Sequence, residues 1–252
     1  MRHKLGALPP VRPSALGDLA DYAKLPTPPA SVAVPAVADW GTDGNQSFGN
    51  CTIAGAAHCI AAWNAESGST DPTPTEDQTV TQYKAITGCV TAGDAHDTGL
   101  VLSDVLKLWS ANVGLFGDNK IAGYAPVNHK VVRDIHSAIA AYGVTYVGVA
   151  LPESAETQFG AGQPWTLVGD PPVGGHCIDF VGYDPEWLYA CTWGGIVKVA
   201  WAWWAHYGQE AWAIIPQEFV EAGKGPEIDL AQLQGDIKSL DTVKVKRPWW
   251  EI

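Results

Sequence analysis

Apolar residues recur at helical spacing through the first half of the chain and at strand spacing through the second. Ile53, Ala56, Ala57, Ile60 and Trp63 follow one another every three to four residues behind Asn50, a residue suited to an N-cap, which predicts a long helix opening at Cys51. A polar, proline-containing loop over 67–75 ends it. Further helices are predicted over 76–87, Ser103–Ala111 and Val131–Tyr142, the last entered after Asn128. From Val144 onward the period shortens. Val144–Ala150, Cys177–Tyr183, Leu188–Thr192, Ile196–Ala200 and Ala211–Pro216 are short β-rich runs separated by Gly, Pro and Asp. Helices first and strands later define an α+β chain, with a cleft between a helical half and an antiparallel β half.

The pattern breaks down at both ends. Residues 1–36 contain seven prolines, which fix φ and remove backbone donors, so an extended arm is predicted with at most a helical turn at Ala15–Tyr22. After Pro216 the chain turns polar, with a weak helical signal over Ile228–Leu240 and an aromatic end at Trp249 and Trp250. The reading is an arm over 1–36, a domain over 37–216 and an extension over 217–252.

Composition narrows the function classes. With 252 residues and 46% hydrophobic content the chain is able to bury a sizeable core. No run of 18 apolar residues occurs, so no membrane span and no membrane partner are expected. The first residues, Met-Arg-His-Lys-Leu, lack the apolar stretch of a secretory signal, which points to an intracellular or virion-associated protein. A net charge of −12 argues against nucleic acid as a partner. The arm runs the other way: Arg2, Lys4, Arg12 and Lys24 against Asp18 and Asp21 leave it at +2. A basic arm on an acidic body is expected to dock on that body or to lie across a neighbouring subunit.

Five cysteines, Cys51, Cys59, Cys89, Cys177 and Cys191, form no Cys-x-x-Cys pair and no compact ligand set, so neither metal nor cofactor is expected. Without a signal they are expected to be reduced, buried thiols rather than disulfides. Cys51 differs from the others by opening a helix, where the helix dipole favours a thiolate. His176 stands at the head of a predicted strand and is its candidate partner across the cleft. Taken singly, Cys51 reads as a small buried hydrophobe and His176 as a core histidine. His58, His96, His129, His136 and His206 read as caps or surface groups. Trp201, Trp203, Trp204 and Trp212 read first as core packing and second as an assembly contact.

Set in their local motifs, Cys51 and His176 gain weight. Asn45-Gln46-Ser47-Phe48-Gly49-Asn50-Cys51 resembles the nucleophile stretch of papain-like (C1-type) cysteine peptidases, with Gln46, Gly49 and Cys51 in the places of Gln, Gly and Cys. Ala36–Trp40 is similar to the start of the family's mature domain. Thr98–Leu100, with Ser103–Leu106 and Asn112–Leu115, resembles its Gly-Gly segment and following helix. Tyr142–Val149, Gly175–Tyr183 and Cys191–Gly194 resemble three of its strand motifs, in the family's order. The resemblance covers about residues 36–216 and implies a two-lobed papain-like fold and peptide hydrolysis through a Cys51 acyl-thioester. It implies His176 as general acid and base, and Gln46 as an oxyanion donor alongside the Cys51 N–H. Gly99 and Gly175 are then expected beside an extended peptide substrate, with Trp193 shielding the histidine. No room before Trp40 is expected for a long inhibitory segment.

Two positions depart from the family. Cys191 stands where the family has the asparagine that orients the histidine, which leaves Thr192 as the nearest hydroxyl for that task; Thr52 stands where the family has tryptophan after the nucleophile, and the Gln-to-Cys stretch is one residue short. The alternative to a peptidase is therefore a papain-fold structural protein of an assembly, such as a bacteriophage virion, joined through its arm and tail.

Overall fold

The computed structural model describes residues 3–111, 115–117 and 119–240. In chain order the elements are α1 (Leu19–Tyr22), α2 (Cys51–Ser67), α3 (Glu76–Thr87), α4 (Leu102–Ser110), β1 (Ile121–Pro126), α5 (Val132–Tyr142), β2 (Thr145–Pro152), α6 (Glu153–Gly160), β3 (Pro172–Tyr183), β4 (Trp187–Thr192), β5 (Gly195–Ala200), α7 (Trp201–Tyr207), β6 (Gly208–Pro216), α8 (Gln217–Glu221) and α9 (Leu230–Ser239). Asn112 to Gly114 of the family-like helix segment, and the tail with Trp249 and Trp250, lie outside the described residues.

Helix α2 runs between the helical side and the sheet and is buried without a break from Cys51 to Trp63. Small residues make that possible. A Cβ on Gly55 would stand 3.0 Å from the Tyr146 ring and 3.2 Å from Cys177 Sγ, so the glycine lets the helix approach the sheet. Gly68 ends the helix in the left-handed region at φ 68°. Asn50 does not cap it with its side chain: Asn50 Nδ2 donates instead to the Asp43 carbonyl at 2.7 Å, fastening the loop before the helix. The first N–H groups of α2 are thus left free of a side-chain cap.

Six strands form one antiparallel sheet in the order β1-β6-β2-β3-β4-β5. The five predicted strands are all present. Strand β1 is not anticipated by the sequence, because Gly123 and Pro126 dilute its β signal, and it precedes α5; helices α6 and α7 also interrupt the predicted all-β half. Trp203, Trp204 and Trp212 are core residues, with Trp203 stacked at a tilt on Trp165 at 4.7 Å between centroids. All five cysteines are free and buried. No helix among the described residues is long and apolar enough to cross a membrane.

The arm lies on its own body. Leu16, Leu19 and Tyr22 are buried, Tyr22 donates from its hydroxyl to Asp236 at 2.8 Å, Ala23 bridges to Ile228 and Val32 bridges to Tyr183 on β3. Arm and extension brace each other, and Leu233 of α9 packs over Gly123 of β1.

Candidate active site

Three elements meet at Cys51. Helix α2 presents it as its first residue, β3 presents His176, the end of β4 presents Thr192, and the two-residue turn after it presents Trp193. Cys51 and His176 are each 1% exposed. The N–H of Cys177, the residue after the histidine, hydrogen bonds to the Cys51 sulfur, which holds β3 against the start of α2. His176 Nε2 lies 2.8 Å from Thr192 Oγ1, and its Nδ1 is buried without a hydrogen-bond partner. An Nε2–H donated to Thr192 leaves Nδ1 with a lone pair able to take the thiol proton. Trp193 stacks on His176 at 4.7 Å. It holds φ at 48°, a left-handed backbone that costs a non-glycine residue about 1–2 kcal/mol, and the turn spends that energy to lay an indole over the imidazole.

The groove over these residues is filled by residues 3–8 of the arm. Ala7 donates its N–H to the Gly175 carbonyl at 3.1 Å on one wall. On the other wall, Leu100 donates to the Gly6 carbonyl at 2.9 Å and Leu8 donates to the Leu100 carbonyl at 3.0 Å, a parallel bridge. Glycines line the passage because nothing larger fits. A Cβ on Gly99 would stand 2.1 Å from the Gly6 carbonyl oxygen, and one on Gly175 would stand 2.1 Å from that of Ala7. Both glycines thus touch an extended peptide, and that peptide belongs to the chain itself. His3 stacks on Trp193 at 4.2 Å, and its N–H donates to Glu156 at 3.0 Å. Six arm residues thus suffice to cover the groove, without a long segment before Trp40.

Gln46 is not in the groove. It is exposed, and its amide contacts the Glu76 carboxylate at 3.3 Å on the outer face. The amide that faces the groove is that of Asn45, which is 2% exposed and donates from Nδ2 to the Lys4 carbonyl and to the Phe48 carbonyl, each at 3.1 Å. The one-residue shortfall between Gln46 and Cys51 was the signal that moves the assignment back by one. Cys191 is buried against His58. His58 Nε2 lies 3.3 Å from Asp43 and Nδ1 3.7 Å from Asp179. Burial opposes charge on His58, but Cys191, Asp179 and Asp43 outweigh it and hold the imidazolium well above its ordinary range. This buried cluster ties α2 to β3 and β4 beneath the site.

The closed groove neutralises both partners. Burial pushes the Cys51 thiol up to about 11, against hydrogen bonds from the Cys177, Gly6 and Thr52 backbones, and burial pulls His176 down to about 3, helped by repulsion from His3 and His58. The ion pair expected at a helix N-terminus is therefore absent while the arm covers it, because desolvation exceeds the helix field. The sign for pH follows. A thiol raised from 9.0 in water to about 11 in the closed state favours closure fully below 9.0, and that preference is lost as pH rises through 11. The ultraviolet absorbance of the Cys51 thiolate, taken as the difference from Cys51→Ala, is expected to be missing at neutral pH and to emerge only in strong alkali. A full thiolate signal at neutral pH in the unaltered chain would contradict the covered state.

A cysteine on a helix facing a histidine on a twisted antiparallel sheet, across a peptide-wide groove, is the arrangement of papain-like cysteine proteases, and the chain has their two-lobed α+β fold. It is similar to xylellain, a cysteine protease from Xylella fastidiosa, with a TM-score of 0.58 and 15% identity, covering 86% of this chain and 98% of that one. It is also similar to the cysteine protease and lectin-like domains of a surface layer associated protein of Clostridium difficile, with a TM-score of 0.56 and 12% identity over 84% of this chain and 55% of that one. A proCathepsin B from Trypanosoma congolense gives a TM-score of 0.54 and 11% identity over 85% of this chain and 87% of that one. No protein-family model and no curated protein match the sequence.

Proposed function

We propose that the chain is a latent cysteine peptidase. The observation that carries the reading is the arm itself: the groove already holds an extended peptide, paired through its main chain to Leu100 and Gly175 and covering Cys51 and His176. Main-chain pairing of this kind binds peptides with little regard to side chains. With the groove open, the Cys51 proton passes to His176 Nδ1 and the sulfur adds to a substrate carbonyl carbon. Asn45 Nδ2 and the Cys51 N–H hold the resulting oxyanion. The carbon–nitrogen bond then breaks, and His176 returns its proton to the leaving amine. Water adds to the thioester with His176 as base, releasing the acid and restoring the thiol. Thr192 keeps the imidazole oriented throughout.

Gly6 turns its N–H to the sulfur as a hydrogen-bond donor. The test is labelling of the full chain with an epoxide or iodoacetamide probe, with the modified site mapped. Cys51 is expected to be labelled slowly in the native chain and faster once the arm is loosened. Cys51→Ala is expected to abolish both labelling at this site and all peptide hydrolysis while keeping its thermal midpoint. Hydrolysis surviving in Cys51→Ala would end the assignment.

A second reading, a papain-fold binding or structural protein, draws on Cys191. It stands where an orienting amide is expected, and its thiol is committed to the His58 cluster. Under that reading the arm is a permanent part of the fold, and Cys51 remains unlabelled whatever is done to residues 3–8.

A further inference from the structure

The arm's basic residues mark a charge-selective subsite. Lys4 directs its ammonium to Asp97, with Nζ 3.4 Å from Oδ2, and the Asp97 side chain is wholly covered while Lys4 remains partly exposed. The carboxylate is fixed from behind. Gly49 donates its N–H at 2.8 Å and Tyr83 its hydroxyl at 2.9 Å to Oδ1, and Gly93 donates its N–H at 2.7 Å to Oδ2. Burial alone would raise this carboxyl, yet these donors and Lys4 together hold it below its usual range, so it stays ionised. Gly49 precedes Cys51 by two residues, so the carboxylate is tied to the loop that carries the sulfur. When the arm leaves, a preformed anionic recess opens in the groove wall beside Cys51.

We infer that Asp97 selects a lysine or arginine side chain about two residues from the bond to be cut, making the substrates basic peptides. The inference rests on the peptidase reading for its cleavage step, but not for its binding step. Lys4 is two residues from Gly6, which touches the sulfur, and an extended chain advances about 3.3 Å per residue, so the recess serves positions within about 7 Å of the reacting atoms whichever way the peptide runs. The same wall positions the peptide: Asn45 accepts the Lys4 N–H at 3.3 Å and donates to the Lys4 carbonyl at 3.1 Å. A basic residue here is thus held at three points, its ammonium, its N–H and its carbonyl. A neutral residue of equal length keeps only the last two. An acidic body with a basic arm supplies the same preference at long range.

The test uses the full chain carrying Gly6→Val, whose arm no longer fits the groove, and fluorescent capped peptides of residues 3–12 in three forms. These carry lysine, norleucine or glutamate at the position of Lys4. By anisotropy at low salt the lysine peptide is expected to bind about tenfold more tightly than the norleucine peptide, with the glutamate peptide weakest. In Asp97→Asn the lysine advantage is expected to shrink to about twofold or less, with norleucine binding kept. Should that variant fail to fold, the three-peptide series on intact Asp97 decides alone. Equal affinity of the three peptides overturns the subsite. Digestion of a mixed peptide library by the same chain is expected to yield cuts about two residues from Lys or Arg, and cuts scattered without regard to charge also overturn it. A binding preference with no cleavage at all keeps the subsite and removes the peptidase reading.

Discussion

Gly6→Val in the full chain is expected to raise the rate of Cys51 alkylation at neutral pH by about 100-fold, and to make that rate depend on His176. The argument is steric. A Cβ at position 6 would stand 1.9 Å from the Gly49 carbonyl oxygen, 2.3 Å from its carbon and 2.6 Å from its Cα, all of them backbone atoms of the loop that carries the nucleophile. That loop is itself fastened by Asp97 on the Gly49 N–H and by Asn50 on the Asp43 carbonyl, so it does not yield. Overpacking of this kind costs about 1–3 kcal/mol, and the arm's backbone bonds to Leu100 and Gly175 are worth about 1 kcal/mol each, so the arm is expected to lift rather than compress. A loss of about 3 kcal/mol changes the ratio of open to closed groove by about 100-fold. Water then reaches both partners, the desolvation that neutralises them is relieved, and the helix field favours the thiolate. The comparison with Gly6→Val plus His176→Ala separates an activated thiolate from a merely exposed thiol. If Gly6→Val labels no faster than the native chain, either the arm does not guard the sulfur or the structural reading is the right one.

The contrast between what was legible in the sequence and what was not follows the range of the interactions. Helix α2 was legible because its apolar spacing and the polar, proline-containing loop after it are local signals, and the strands from β2 onward because their β-rich runs are bounded by Gly, Pro and Asp. Cys51, His176 and Thr192 were placed in one groove by motifs that each span a few residues. Strand β1 was missed because Gly123 carries no side chain to pack and Pro126 removes a donor, yet pairing with β6 overrides both. The arm's seat was illegible for a different reason. Its partners, Leu100 and Gly175, are far away in sequence, and although Gly99 and Gly175 are expected beside an extended peptide, no local signal says that this peptide is residues 5–7 of the same chain. Cys191 likewise reads as a lost catalytic group until His58 is seen beside it.

The same limit bears on the oxyanion donor, where sequence and geometry name adjacent residues and one experiment decides between them. In the Gly6→Val chain, Asn45→Ala is expected to lower kcat by about 100- to 1,000-fold, the range for removing one such donor. Gln46→Ala is expected to stay within about twofold, because surface changes away from a site are nearly neutral. Gln46 is exposed and turned toward Glu76, with nothing in the groove for its amide to touch, whereas Asn45 already donates to a peptide carbonyl there. Asn45 also holds the Phe48 carbonyl, so its loss has a structural side. Two readouts keep the effects apart. A transition-state donor lowers kcat with little change in KM, whereas a collapsed loop weakens peptide binding and lowers the thermal midpoint as well. The opposite result, with Gln46→Ala crippled and Asn45→Ala active, would mean that the loop turns over when substrate binds and that the arm-bound groove is not the shape in which the chemistry takes place.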